Sequence, residues 1–355
     1  MSAADRTQAR PQRAGVALGL LTLAALTALG IWLAPERQAP AAAGADGRDL
    51  VVLQGGPKRT APAEAAAPRP AASAPAAEAV ADTPAVASAP DPCTLLLPRM
   101  PAINRATCEA AQLVPSGGQS VNGLPLYWRD VPPTPAQGAP AGRPLRVLVV
   151  GAMHGDERTA ASLAVQWIGM AEKAARPVHW RFIPVLNPDG LLAPRPVRVN
   201  ARGVDLNRNF PTPGWERDAP RYWEKRTRKD PRRWPGPMPL SEPESRFLHA
   251  QMGSFAPDLV VSIHAPYGVL DFDGPQPPPS RLGRLRLEQL GVFPGSLGHY
   301  GGVHLGLPVV TIELQHELKM PTDEEVRVMW RDLLRWMDRN LPAPSTAVAE
   351  DVTPK

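Results

Sequence analysis

Apolar residues recur along this chain in runs that specify elements. Gln119 to Val131 reads as a hairpin, two strand-like runs joined at Asn122-Gly123, a dipeptide that tolerates the positive φ of a tight turn. Leu145 to Val150 is apolar apart from Arg146, the pattern of a strand covered on both faces. Glu157 to Lys173 then spaces Ala, Leu, Val, Ile and Met at helical intervals. Trp180 to Leu186 is a second mostly apolar strand and ends in Asn187-Pro188-Asp189-Gly190, a strong turn signal. Glu242 to Met252 is helical in pattern, Leu259 to Ile263 is a strand ending at His264, and Pro308 to Leu314 is another. Asp323 to Leu341 closes the series as an amphipathic helix.

Strands alternating with helices predict an α/β fold with a mixed, largely parallel central sheet flanked by helices. In such folds ligands bind at the carboxyl ends of the strands. His154, Asn187 and His264 fall there, and Glu313 falls near the end of its strand.

The first quarter of the chain follows other rules. A basic head, residues 1–13 with Arg6, Arg10 and Arg13, precedes residues 14–34, which carry no charge. At about 1.5 Å per residue, a helix of that length covers roughly 31 Å, enough to cross a bilayer. The run is longer than a usual signal-peptide core, which favours an uncleaved membrane anchor over a cleaved secretory signal. Positive charges ahead of it keep the N-terminus inside, so the rest is expected to be exported, as a periplasmic domain anchored in the inner membrane. Residues 35–92 are dominated by Ala and Pro and are expected to form a disordered linker, because they cannot bury enough surface to offset ordering entropy. The folded domain is then expected over residues 93–342, with a disordered tail over residues 343–355.

Two cysteines, Cys93 and Cys108, follow the linker. In an oxidising compartment a bridge between them closes a loop of about 16 residues, stabilising the fold by roughly 3 kcal/mol in the chain-entropy account. Neither has a second ligand at metal-binding spacing. The formal net charge of +5 is modest and its densest stretch, Arg217 to Arg233, reads as a solvated insertion able to steer an anion. Aromatic and basic residues do not interleave as in a nucleic-acid platform, so no nucleic-acid partner is expected.

The chemistry centres on Gly151-Ala152-Met153-His154-Gly155-Asp156-Glu157, at a strand-to-helix junction. Imidazole nitrogens and a carboxylate suit zinc, and a catalytic zinc keeps three protein ligands and one open position. His154 and Glu157, three residues apart, point to one side, and His264 supplies the third ligand from a separate strand. Taken singly, each has an ordinary alternative: a first-turn carboxylate favoured by the helix dipole, or a histidine capping a strand.

Together with further motifs, these residues closely resemble the zinc metallocarboxypeptidase family of the carboxypeptidase A type, whose pattern is His-x-x-Glu and a distant His. The matching segments are Asn187-Pro188-Asp189-Gly190, the run from Arg198-Val199-Asn200 through Asp205-Leu206-Asn207-Arg208-Asn209-Phe210-Pro211, Ser262-Ile263-His264, and Thr311-Ile312-Glu313-Leu314. Within the family the chain looks most like the murein peptide amidase branch, on His154-Gly155-Asp156-Glu157, Trp223, Arg232-Arg233, Pro235-Gly236 and Ser241-Glu242-Pro243-Glu244. The resemblance covers about Gly117 to Leu341.

What it implies is one Zn2+ per chain on His154, Glu157 and His264, and Glu313 as the carboxylate that takes a proton from water and returns it to the leaving amine. Arg198 matches the arginine that stabilises the oxyanion, and Asn207 and Arg208 match the pair that holds the substrate carboxylate. Tyr300, in Gly298-His299-Tyr300-Gly301-Gly302, is a loose match to the family's substrate-capping tyrosine. The implied reaction is hydrolysis of the γ-D-glutamyl-diaminopimelate amide in peptidoglycan stem peptides. The alternatives are a carboxypeptidase for ordinary C-terminal residues, an aspartoacylase-type deacylase, whose branch usually has Asn where Asp156 stands, and a wall-binding module without turnover.

Overall fold

A computed structural model describes residues 89–134, 143–174 and 176–341. The expected anchor (14–34), nearly all of the linker (35–92) and the tail (343–355) lie outside the described residues. Among the described residues, no helix is long and apolar enough to cross a membrane.

The elements follow the apolar pattern in order. Two short helices, α1 (Pro92–Leu96) and α2 (Arg105–Ala110), are joined by the disulfide between Cys93 and Cys108. Next come β1 (Val114–Gln119), β2 (Pro125–Val131), β3 (Leu145–Val150), α3 (Arg158–Lys173), β4 (Val178–Ile183) and α4 (Pro188–Leu192). After these lie α5 (Trp215–Lys225), α6 (Pro243–Phe255), β5 (Leu259–His264) and β6 (Leu270–Asp273). A two-residue pair, β7 (Arg281–Leu282) and β8 (Leu285–Arg286), a π-helical turn over His299–His304, β9 (Val309–Glu313) and α7 (Asp323–Asn340) complete the set.

Seven strands form one sheet in the order β1-β2-β4-β3-β5-β9-β6. The four central strands are parallel, and each edge turns antiparallel, β1 and β2 on one side and β6 on the other. The sheet is therefore mixed with a parallel middle. Its first hairpin begins earlier than the pattern suggested: Asn122-Gly123 lies in the turn, but the leading strand runs from Val114 and ends at Gln119 instead of beginning there.

Side chains of the central strands alternate between two cores, as a period of two requires. Val147 and Val149 of β3 join one core with α3 and α7, while Leu148 and Val150 join the other with Leu248, Met252 and Phe255 of α6. A covered strand must be apolar on both faces, which is why Leu145 to Val150 lacks a polar alternation. In the first core, Trp167, Trp180 and Trp330 meet ring to ring at 4.8–5.2 Å. With both faces filled, the free ends of β3, β5 and β9 are left to carry polar groups, and the site forms there.

Candidate active site

His154 and Glu157 lie in the turn that carries the chain from β3 into α3, with Glu157 as the residue before the helix. The turn is fixed from behind: Gly155 abuts Gly190, where an added Cβ would come within 2.2 Å of the Gly190 carbonyl carbon. Asn187 closes the neighbouring turn, its side chain accepting from Gly190 N at 2.9 Å and donating to Arg198 O at 3.1 Å. Asn187 thus holds Arg198 against the His154 loop. His264 ends β5, and its Cα is the register partner of Glu313 at the end of β9.

These placements bring three side chains to one point. His154 Nδ1 lies 2.7 Å from Glu157 Oε1, His264 Nδ1 lies 2.9 Å from Glu157 Oε2, and the two Nδ1 atoms are 3.2 Å apart. Their ligand atoms all fall within 4.8 Å of one another, and all three residues are buried. The outer nitrogens have partners of their own, His154 Nε2 with Asp205 Oδ1 at 3.0 Å and His264 Nε2 with Ser262 Oγ at 2.8 Å. An ionised Asp205 only accepts, so His154 carries its proton on Nε2 and turns a lone pair inward at Nδ1. Two imidazole nitrogens and a carboxylate converging in this way form a donor set that fits zinc.

The surrounding charges sharpen the site. Burial disfavours the Glu157 charge, yet the two imidazoles and their hydrogen bonds outweigh it and hold its pKa well below the carboxylate range. Asp205 behaves alike: desolvation opposes ionisation, and Arg198 and His154 override it. Arg198 donates from Nε and Nη2 to Asp205 Oδ2 at 3.1 and 3.0 Å, leaving Nη1 beside His154 Nδ1 and Glu157 Oε1 at 3.1 and 3.4 Å. Glu313 goes the other way. Burial first, and then the Glu157 charge, raise its pKa well above the ordinary value, and its buried Oε2 has no hydrogen-bond partner among the described residues.

Arg208 lies one turn along, buried; its Nη1 donates to Asn207 O at 2.6 Å, and its Nε has no partner among the described residues. Asn207 accepts from Leu297 N at 2.8 Å through its side chain. Tyr300 is placed elsewhere. It sits in the core below the sheet at 8% exposure, stacked on Phe210 at 6.0 Å and close to His249 and His304. No ring contact or hydrogen bond joins it to the metal group among the described residues. Tyr267, 49% exposed, follows His264 by three residues, and its backbone N–H reaches the Glu313 carboxylate.

Three participants escape sequence reasoning. Asp205 lies inside the matching run but its spacing assigns it no task; it acts on His154, 51 residues away. Ser262 is two residues before its partner on the same face of β5, a spacing shared by any strand. Tyr267 carries no signal beyond following His264.

Comparison with known proteins identifies the family. A zinc carboxypeptidase family model matches residues 103–270, ending before the strand that bears Glu313. Murein peptide amidase A of Escherichia coli is 30% identical over 241 residues, 64% of this chain and 92% of that protein. Its namesake from Vibrio campbellii is 31% identical over 210 residues, 56% of this chain and 78% of that protein. The crystal structure of murein-tripeptide amidase MpaA from Escherichia coli O157 superposes with a TM-score of 0.42 at 28% identity, covering 62% of this chain and 90% of that one. With its metal group at the carboxyl ends of a parallel sheet and a relative matched over nearly its full length, this chain is an enzyme of the zinc carboxypeptidase family.

Proposed function

We propose that the chain hydrolyses the amide between γ-D-glutamate and diaminopimelate in peptidoglycan stem peptides. One observation carries the reading: Glu313 Oε2 is a buried carboxylate oxygen without a partner, on the strand beside the one that ends in His264. Burying such a group unsatisfied is costly unless a ligand or reacting atom completes it. The near full-length match to murein peptide amidase A supports the choice of amide.

Zinc on His154, Glu157 and His264 would supply a Lewis acid that polarises the amide carbonyl and makes water more acidic. The rest falls to the chain's own groups. Glu313, its pKa raised by burial and by Glu157, is suited to accept a proton at Oε2 and deliver it to the leaving nitrogen. Arg198 stays charged against Asp205 and donates from Nη1 to the oxygen that gains negative charge. Arg208, steadied by Asn207, presents its unpaired Nε edge to the carboxylate next to the scissile bond. Export through residues 14–34, expected from the sequence, would bring the domain to wall-derived peptides.

The test is release of diaminopimelate from L-Ala-γ-D-Glu-meso-diaminopimelate by the zinc-loaded chain, with ordinary C-terminal dipeptides alongside. Glu313→Gln is expected to lower kcat by about a hundredfold to ten-thousandfold at unchanged zinc content. Absence of release by wild type, or equal turnover by Glu313→Gln, rejects the assignment.

A further inference from the structure

Between Arg208 and α6 the chain runs out over α5, returns through a 3-10 turn at Pro231–Arg233, and crosses back as a strap beside the site. Residues 217–233 hold eight basic residues against three acidic ones, so the detour is the most cationic part of the chain. A solvated loop would leave it untethered, but the strap is bound at three points. Arg232 Nη2 donates to Asp156 Oδ2 in the metal loop at 2.9 Å, Asp205 N donates to Trp234 O at 2.8 Å, and Asn209 Nδ2 donates to Pro235 O at 2.8 Å.

Arg233 lies between the first two of these anchors. Its own carboxylate neighbour is distant, with Nε 3.6 Å from Asp230 Oδ2, and its side chain is one-quarter exposed. Arg208 is tied to the same place, since Arg208 N donates to Asp205 O at 2.9 Å while Asp205 N donates to Trp234 O, the residue after Arg233, at 2.8 Å. Burial above all lowers the Arg208 pKa, Asp205 opposes this, and the charges of Arg198 and Arg233 add to the lowering. An aromatic wall backs Arg208: Phe293 faces its guanidinium at 4.6 Å, and Tyr222 of α5 meets Phe293 edge-on at 5.8 Å.

Two guanidiniums from different segments, one with an unpaired buried Nε and one weakly engaged, repel each other until anions arrive. A ligand with one carboxylate satisfies one of them. A ligand with two satisfies both.

We propose that Arg233 is a specificity-determining residue that binds the distal carboxylate of a dicarboxylate leaving group while Arg208 binds the proximal one. The proposal rests on the murein-peptide reading and deepens it, since diaminopimelate differs from lysine by that second carboxylate. Arg232 acts through Asp156 as the positioning residue that sets the strap.

Wild type, Arg233→Gln, Arg233→Lys and Arg217→Gln are compared on L-Ala-γ-D-Glu-meso-diaminopimelate and on its lysine counterpart. Arg233→Gln is expected to lower kcat/KM on the diaminopimelate peptide about tenfold to a hundredfold, the effect of one charged hydrogen-bonding partner. The lysine peptide should change little, and Arg233→Lys should recover part of the loss. Arg217→Gln removes an equal charge from an exposed pair on α5 and should alter neither. Equal loss on both peptides, no loss on the diaminopimelate peptide, or the same loss in Arg217→Gln overturns the proposal. If neither peptide is cleaved, calorimetric binding of free meso-diaminopimelate and of lysine to the zinc-loaded protein decides. A preference for diaminopimelate that vanishes in Arg233→Gln then rejects the amide assignment and keeps the second-carboxylate site. Absence of that preference in wild type rejects the site.

Discussion

Asp205 has no solvent exposure and holds two groups at once, the outer nitrogen of His154 and the guanidinium of Arg198. Its negative charge is what settles which His154 nitrogen bears the proton. Asparagine would keep the shape and lose that preference, because a side-chain amide can donate to Nε2 and drive the proton to Nδ1, where the metal must bind. Asp205→Asn is therefore expected to weaken zinc binding by about tenfold to a hundredfold, measured by competition with a chelator of known affinity. It should also loosen Arg198, whose two bonds to Oδ2 would then meet a neutral amide oxygen instead of a carboxylate, so activity should fall further than zinc occupancy alone explains. An unchanged zinc affinity would show that the His154 tautomer is set by something other than this carboxylate. The ligands themselves were legible because His-x-x-Glu and a distant His are a pattern in one dimension. Asp205 was not, because its role exists only where two segments meet.

At the scale of elements, the metal loop depends on how closely two turns approach. The backbone of Gly155 lies against Gly190, and the loop N–H at Gly155 points to Arg198 O at 3.4 Å. A methyl group at residue 155 would meet backbone, which cannot swing aside as a long side chain can. Gly155→Ala is expected to cost about 1–3 kcal/mol of stability, the usual range for forced overpacking, and to displace His154 and Glu157. Thermal unfolding with and without zinc reads both: the midpoint should fall, and the rise produced by zinc should shrink. A variant with wild-type zinc stabilisation would mean that the loop yields without moving its ligands. The central elements could be read from sequence to within a few residues, because burial on two faces demands continuous apolar runs in β3, β5 and β9. Others could not. In β6, Leu-Asp-Phe-Asp places two acids on one face, which resembles a surface turn. In α5, charges dominate and Pro220 interrupts the pattern, so its packing through Trp215 and Ala219 stays hidden until the fold supplies the other side.

At the scale of the whole molecule, the edge of the sheet away from the hairpin carries a charge whose cost is shared by the entire fold. Asp273 ends β6 and lies so close to Gly298 and Gly302 that an added Cβ on either would come within 2.3 Å of its atoms. Burial first, and the neighbouring Asp271 second, raise its pKa from 3.8 to about 7. Below pH about 4 the group is protonated in both states and contributes nothing to the balance. Between about 4 and 7 the unfolded chain releases the proton and the folded chain keeps it, so the unfolded state binds fewer protons and stability falls as pH rises. Above about 7 the full cost is present, of order 2–4 kcal/mol for a shift of this size. Asp273→Asn, which keeps the shape without the charge, should match wild type near pH 4 and exceed it increasingly toward pH 8 in denaturant midpoints. Asp271, itself buried with a raised pKa, remains in the variant and supplies a common background. A constant difference across that range would place the cost in packing against the glycines instead of in the charge.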